Sequence, residues 1–335
     1  MPVKDAVSNT NKDRGATRRQ HLLDLFPPLT PYSSGFLGAD KTHNLYWEQS
    51  GNPDGVPVLL IHGGPGAGAT PTHRRFFDPD HYRIIIFDQR GAGRSTPLGE
   101  LENNTTENLI HDIEALRKHL HVERWHLFGG SWGSTLAMLY AIRYPQQCIS
   151  LILRGVFLCE QEEIDWFLYG MKTIFPEAWE QFAGFLPEEE QHDLLSGYYR
   201  RLTGGDRSIQ LGAAIRWSLY EGACSSLLPN YETISTIEQK QHALALARIE
   251  AHFFMREIIP PEKSILTQLD NLRKVPATII QGRYDIICPI RSAYKLHHLW
   301  PEADYVVVPD AGHSALDPPI RSQLIQALEN AKNIN

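Results

Sequence analysis

Apolar residues follow two rhythms along the chain. Continuous apolar runs at 58–61, 83–87, 149–157, 277–280 and 304–308 predict short strands, most of them buried on both faces of a parallel sheet. Weaker runs at 32–37 and 44–49, joined near Gly38-Ala39-Asp40, predict two strands before them, and Gly51-Asn52-Pro53-Asp54-Gly55 predicts a turn. The second rhythm is helical. Leu109, Ile110, Ile113, Leu116 and Leu120 recur on one helix face behind the capping pair Asn104-Thr105, and further helices are expected at 291–299 and from the 314 region to about 331. From about 158 to 270 the strand rhythm stops. Trp166, Phe175, Trp179, Phe182, Tyr198, Trp217, Tyr220 and Phe254 stand at helical intervals, and Pro176-Glu177, Pro187-Glu188 and Pro261-Glu262 suit helix starts. The expectation is an α/β core formed by 21–157 and 271–335, with a mostly parallel sheet and helices on both faces. Residues 158–270 form an inserted helical cap, and 1–20 a loose polar tail.

Composition narrows the picture modestly. The 335 residues exceed what one core usually serves, which fits a main domain plus an inserted one. Hydrophobic content of 42% and charged content of 21% are those of an ordinary globular chain, and a net charge of −7 speaks against nucleic-acid binding. No apolar stretch reaches membrane-spanning length, and Met1 to Gln20 lacks the apolar region of a secretory signal. The four cysteines are scattered without C-x-x-C spacing, so they read as reduced core residues of a cytoplasmic protein.

Candidate chemistry centres on 125–141. An apolar strand-like stretch turns sharply at Gly129-Gly130-Ser131-Trp132-Gly133 and continues as a helix, the arrangement of a nucleophile elbow. Small neighbours admit the tight turn, and the new helix directs its N-terminus and the N–H of Trp132 toward any negative charge forming at Ser131. Two other glycine clusters follow strands. His62-Gly63-Gly64-Pro65-Gly66-Ala67-Gly68 lacks the Gly-Lys-Ser/Thr of a phosphate loop, whereas Gly64 could offer an oxyanion N–H. Gly91-Ala92-Gly93 lacks the third glycine of a dinucleotide loop and runs into Pro97, so Asp88, Arg90 and Arg94 are expected to form a rigid charged turn, tied to each other and to backbone. Ser131, Asp285 and His313 each follow a predicted strand, in the chain order of an α/β-hydrolase triad. Taken singly, Asp285 reads as a helix cap and His313 as a loop histidine; together they supply a base for Ser131 and a carboxylate to orient it. No metal-peptidase motif such as H-E-x-x-H is present, and neither metal nor cofactor is expected.

From about Leu25 onward the chain resembles the proline iminopeptidases, serine exopeptidases of the α/β-hydrolase fold. The resemblance rests on His62-Gly63-Gly64-Pro65-Gly66, Asp88 to Ser95, Gly129 to Ser134, Leu153-Arg154-Gly155 and Gly312-His313, and most specifically on Trp217-Ser218-Leu219-Tyr220-Glu221-Gly222 and Ala247 to Phe254 of the cap. It implies release of N-terminal proline from short peptides, with Glu221 and Glu250 holding the substrate amine. Tyr220 and Ala251 depart from the tryptophan and asparagine expected there. The residues permit a second reading, in which Glu221 and Glu250 pair with Arg216 and Arg248 on a solvated face. A broader aminopeptidase, arylamidase or esterase could use the same triad, and a non-catalytic receptor of this fold would not need it. The oligomeric state is not legible.

Overall fold

A computed structural model of the chain describes residues 22–227 and 235–334, so the expected tail at 1–20 lies outside the described residues. Eight strands form one sheet: β1 (Ser33–Gly38), β2 (Asn44–Gly51), β3 (Val56–Ile61), β4 (Tyr82–Phe87), β5 (Trp125–Ser131), β6 (Cys148–Val156), β7 (Ala277–Gly282) and β8 (Asp304–Val308). Their spatial order is β1-β2-β4-β3-β5-β6-β7-β8. The β1–β2 and β2–β4 pairs are antiparallel and the remaining pairs parallel.

The continuous apolar runs reflect the two-sided burial of the inner strands. Leu59 and Ile61 on β3, and Ile85 and Phe87 on β4, face one core; Val58, Leu60, Ile84 and Ile86 face the other. Both sets must be apolar because successive strand residues point to opposite faces and both faces are covered. Among the described residues the α-helices are α1 (Thr106–His119), α2 (Trp132–Arg143), α3 (Gln161–Asp165), α4 (Pro176–Ala183), α5 (Leu194–Thr203), α6 (Arg207–Ser225), α7 (Ile237–Arg256), α8 (Leu269–Leu272), α9 (Ile290–Leu299) and α10 (Pro318–Ala331). α1 is capped as its sequence predicts, with the Thr105 hydroxyl accepting from the Asn108 N–H. Ile320, Leu324 and Leu328 of α10 close the second core, while α1, α2 and α9 lie over the first.

Between β6 and β7 the described chain forms helices and no strand. The interior of these helices is continuous with the first core, because Phe182, Tyr198, Trp217, Tyr220 and Phe254 belong to the same apolar cluster as Leu127 and Leu136. Phe182 lies between two flat neighbours, stacking on Tyr198 at 4.4 Å and on Tyr220 at 4.5 Å between ring centroids. α7 carries the contact with the sheet side. Its Arg248 donates to the Gly99 carbonyl, and Ile249 packs where any side chain on Gly66 or Gly91 would lie. No helix among the described residues is long and apolar enough to cross a membrane.

The charged turn after β4 departs from expectation in its pairing. Arg94 does bind Asp88, at 2.7 Å, and also reaches Glu48. Arg90 instead turns away to Asp112 and Asp40, each at 2.6 Å. Both arginines are drawn to buried carboxylates outside the turn, where leaving a charge unpaired would be costly.

Candidate active site

Ser131 closes β5 and α2 begins at the next residue. Its backbone (φ 57°, ψ −128°) lies in a region that costs a side-chain-bearing residue about 1–3 kcal/mol. The surroundings hold it there. A Cβ on Gly129 would land on the Gly133 carbonyl, and one on Gly133 on the Ile61 carbonyl, so the spacing of small residues in the elbow follows from backbone contact. Ser134 Oγ donates to the Ser131 carbonyl at 2.7 Å and accepts from Phe157 N–H. The Trp132 indole donates to Gln89 Oε1, and Gln89 Nε2 donates to the His62 carbonyl. Gln89 N–H also donates to His62 Nε2, so the other ring nitrogen, Nδ1, bears the proton and donates to the Gly63 carbonyl at 2.9 Å. Burial lowers the pKa of this histidine, keeping it neutral. The loop after β3 and the elbow are therefore one hydrogen-bonded unit, with Gly64 (φ 107°) beside Ser131 in a common cavity.

Asp285 follows β7 and His313 follows β8. They join, with His313 Nδ1 at 2.9 Å from Asp285 Oδ2. The same carboxylate accepts from Cys288 N–H at 2.8 Å and Gln281 Nε2 at 3.2 Å, which fix its orientation. These contacts place the imidazole proton on Nδ1 and leave a lone pair on Nε2. That lone pair does not meet Ser131. It accepts from Arg154 Nη1 at 3.1 Å, and the same nitrogen donates to the His313 carbonyl at 2.8 Å. The polar contact of Ser131 Oγ is instead the buried thiol of Cys288, at 3.8 Å. The three residues do not follow three adjacent strands, because β6 lies between β5 and β7. That intervening strand delivers Arg154, whose half-buried guanidinium has its pKa lowered by desolvation.

Glu221 on α6 and Glu250 on α7 line the same cavity as Ser131 and Gly64, together with Phe157, Glu163, Phe167, Phe254, Ile287 and Cys288; its volume is about 20 Å³. Glu250 is 2% exposed and accepts from the Trp217 indole at 2.6 Å. The alternative pairing with arginines does not occur: among the described residues neither glutamate has a salt bridge, and Arg248 donates to the Gly99 and Leu202 carbonyls. Desolvation pushes both carboxyls up, Glu221 to about 7 and Glu250 well above its ordinary value, and the negative charge of Glu221 raises Glu250 further.

Arg154 and Cys288 are the site residues that sequence reasoning gave no role. Arg154 stood in a quoted motif, but its use depends on β6 lying between β5 and β7. Cys288 is three residues beyond Asp285, and an Asp whose side chain caps the amide three positions on is a local turn signal that could have drawn attention to it.

The chain matches the model of the α/β-hydrolase fold family over residues 56–318. It is 49% identical to a proline iminopeptidase of Arabidopsis thaliana over 97% of this chain and 86% of that protein. It is 46% identical to a proline iminopeptidase of Xylella fastidiosa (strain 9a5c), over 92% of this chain and 99% of that one. The chain belongs to the proline iminopeptidase family. Among solved structures, that of VinJ superposes with a TM-score of 0.61 at 19% identity, covering 91% of this chain and 100% of VinJ, a likeness of fold. The α/β-hydrolase expectation and the family resemblance thus both hold.

Proposed function

We propose that the protein is a serine exopeptidase that releases N-terminal proline from short peptides. One observation carries this reading beyond family membership: two carboxylates, Glu250 buried and Glu221 half-buried, without a cationic partner among the described residues, share a small aromatic-walled cavity with the elbow serine. A free N-terminal proline brings a secondary ammonium with two N–H donors, which two carboxylates can accept, and a ring that the phenylalanines can enclose.

In this mechanism Ser131 Oγ attacks the prolyl carbonyl and His313 Nε2 takes its proton, with Asp285 holding the imidazole. His313 must first exchange its Arg154 contact for Ser131, a tightening expected once substrate fills the cavity. The N–H groups of Gly64 and Trp132 stabilise the oxyanion. The protonated histidine releases the departing amine, and water activated by His313 then frees proline from the acyl-enzyme. No metal or cofactor takes part in these steps. The inserted helices, 158–270, act as the cap that reads the amine. Four buried, unpaired cysteines fit a cytoplasmic setting.

The test is a panel of prolyl, alanyl and N-acetylprolyl aryl-amides and acyl esters. The free prolyl amide should be strongly preferred, and Ser131→Ala should abolish turnover and labelling by a phosphonate. Glu221→Gln and Glu250→Gln should each lower kcat/KM on the prolyl amide by about tens- to thousands-fold, since removing one partner of a desolvated charged hydrogen bond costs about 2–5 kcal/mol. Both should still be labelled at Ser131 by a small uncharged phosphonate. Equal cleavage of free and acetylated substrates would reject the amine reading and favour an esterase or general arylamidase.

A further inference from the structure

Buried carboxylates avoid each other unless a proton or a cation lies between them. Glu221 and Glu250 line one small cavity, and a single proton held there would remove the repulsion between two bare carboxylates. The groups around the pair supply no competing cation. Glu163 of α3 faces the cavity but is held by the N–H groups of Leu158 and Glu160 and the Ser292 hydroxyl. Cys288 presents a thiol whose pKa burial raises. His313 is engaged with Asp285 and Arg154, and Cys224, on the same helix as Glu221, is likewise a buried thiol with a raised pKa. One neighbour distinguishes the two glutamates: the Trp217 indole N–H donates to Glu250 Oε2. Trp217 is fully buried among Phe167, Phe182, Tyr198 and Phe254, so that donor cannot swing elsewhere.

We propose that the empty amine site holds one proton between Glu221 and Glu250, with the Trp217 indole as the positioning donor, and that the substrate's secondary ammonium displaces this proton to solvent. The exchange balances. Before binding, the pair carries one proton and a charge of minus one. After binding, two carboxylates and one ammonium again sum to minus one, and one proton has left. The cavity therefore keeps the same net charge empty or filled, and a low-dielectric site never has to hold two bare carboxylates. Trp217 supports the filled state, because its N–H stabilises Glu250 as an anion. This inference rests on the amine-binding reading above.

The experiment is calorimetric titration of prolinamide into the full-length Ser131→Ala variant, in buffers of differing ionisation heat, which counts protons. About one proton should be released per ligand near pH 5.5, and the count should fall toward zero as the pH approaches about 8. Below about pH 6 the affinity should drop by about tenfold per pH unit. A protonated-carboxyl infrared band should vanish on binding. Adding Glu221→Gln should abolish the proton release, and Trp217→Phe should move its midpoint upward by about one to two pH units, the scale of one charged hydrogen bond. If Trp217→Phe does not fold, the proton count and infrared band of the Ser131→Ala protein still decide. Tight binding with no proton released near pH 5.5, or release that persists after Glu221→Gln, overturns the shared proton while leaving the amine site intact. Undiminished prolinamide binding by both glutamine variants would instead overturn the amine site itself.

Discussion

Single residues in the site act through backbone atoms as much as through side chains. Asp285 is fixed by an amide N–H and a glutamine as well as by His313. Asp285→Asn should keep the fold but present an N–H where the imidazole needs an acceptor, favouring the wrong tautomer. Steady-state kinetics on a prolyl amide should show kcat lower by about 10³–10⁴-fold with KM little changed; a loss under about tenfold would remove the orienting role. The elbow glycines act by what they lack. Gly133→Ala would press a methyl group onto the Ile61 carbonyl in the middle of the sheet, where nothing can give. Urea denaturation should register a loss of about 2 kcal/mol or more, the range for overpacking a rigid core, and unchanged stability would mean that the sheet and α2 separate more easily than their contacts suggest.

At the scale of elements, the strands and most helices were legible because burial on both sheet faces leaves a continuous apolar run, as in 58–61 and 83–87, that no other element of that length explains. Chain order was legible as well, so Ser131, Asp285 and His313 could be placed at strand ends. Strand adjacency was not. Nothing in 149–157 announces that β6 separates β5 from β7, and so the approach of Arg154 to His313 could not be foreseen. Nor could the sequence decide between arginine partners for Glu221 and Glu250 and a shared cavity, because that choice depends on how α6 and α7 pack. Their packing is set largely by aromatics. Phe182, stacked between Tyr198 and Tyr220 and edge-on to Trp217, should be a keystone of this layer. Phe182→Ala should destabilise the protein by about 3–5 kcal/mol, and should raise KM more than it lowers kcat, since the triad is built on strand ends that Phe182 does not touch. A fall in kcat alone, with KM constant, would contradict this.

For the whole molecule, ionisation opposes itself. His126, fully buried under Tyr82 and bound to Ser150, has its pKa lowered to about 4 by burial, as has the less buried His73. Their unfolded forms protonate first, so the stability they confer is complete above pH about 6.5 and declines as pH falls toward about 4. Glu221 and Glu250, with raised values, act with the opposite sign: their contribution is present at low pH and fades as pH rises from the ordinary glutamate range through about 7. Relative to the parent, His126→Gln should therefore gain in urea midpoint as the pH is lowered from about 6.5 toward 4.5; parallel profiles would show that His126 contributes nothing to the acid limb. One contact, between Ile249 and the glycines of the two sheet loops, also bears on how such proteins diversify. Glu250 is the next residue along from the one seated against Gly66 and Gly91. Selectivity and reactivity therefore share a seam, and a recombination breakpoint at the ends of the insert would cut a lineage's helices away from the loops that fit them. Exchange of this segment between relatives should succeed only when residues 62–68 and 88–95 travel with it, so that for inheritance the protein is one module despite its two-part chain.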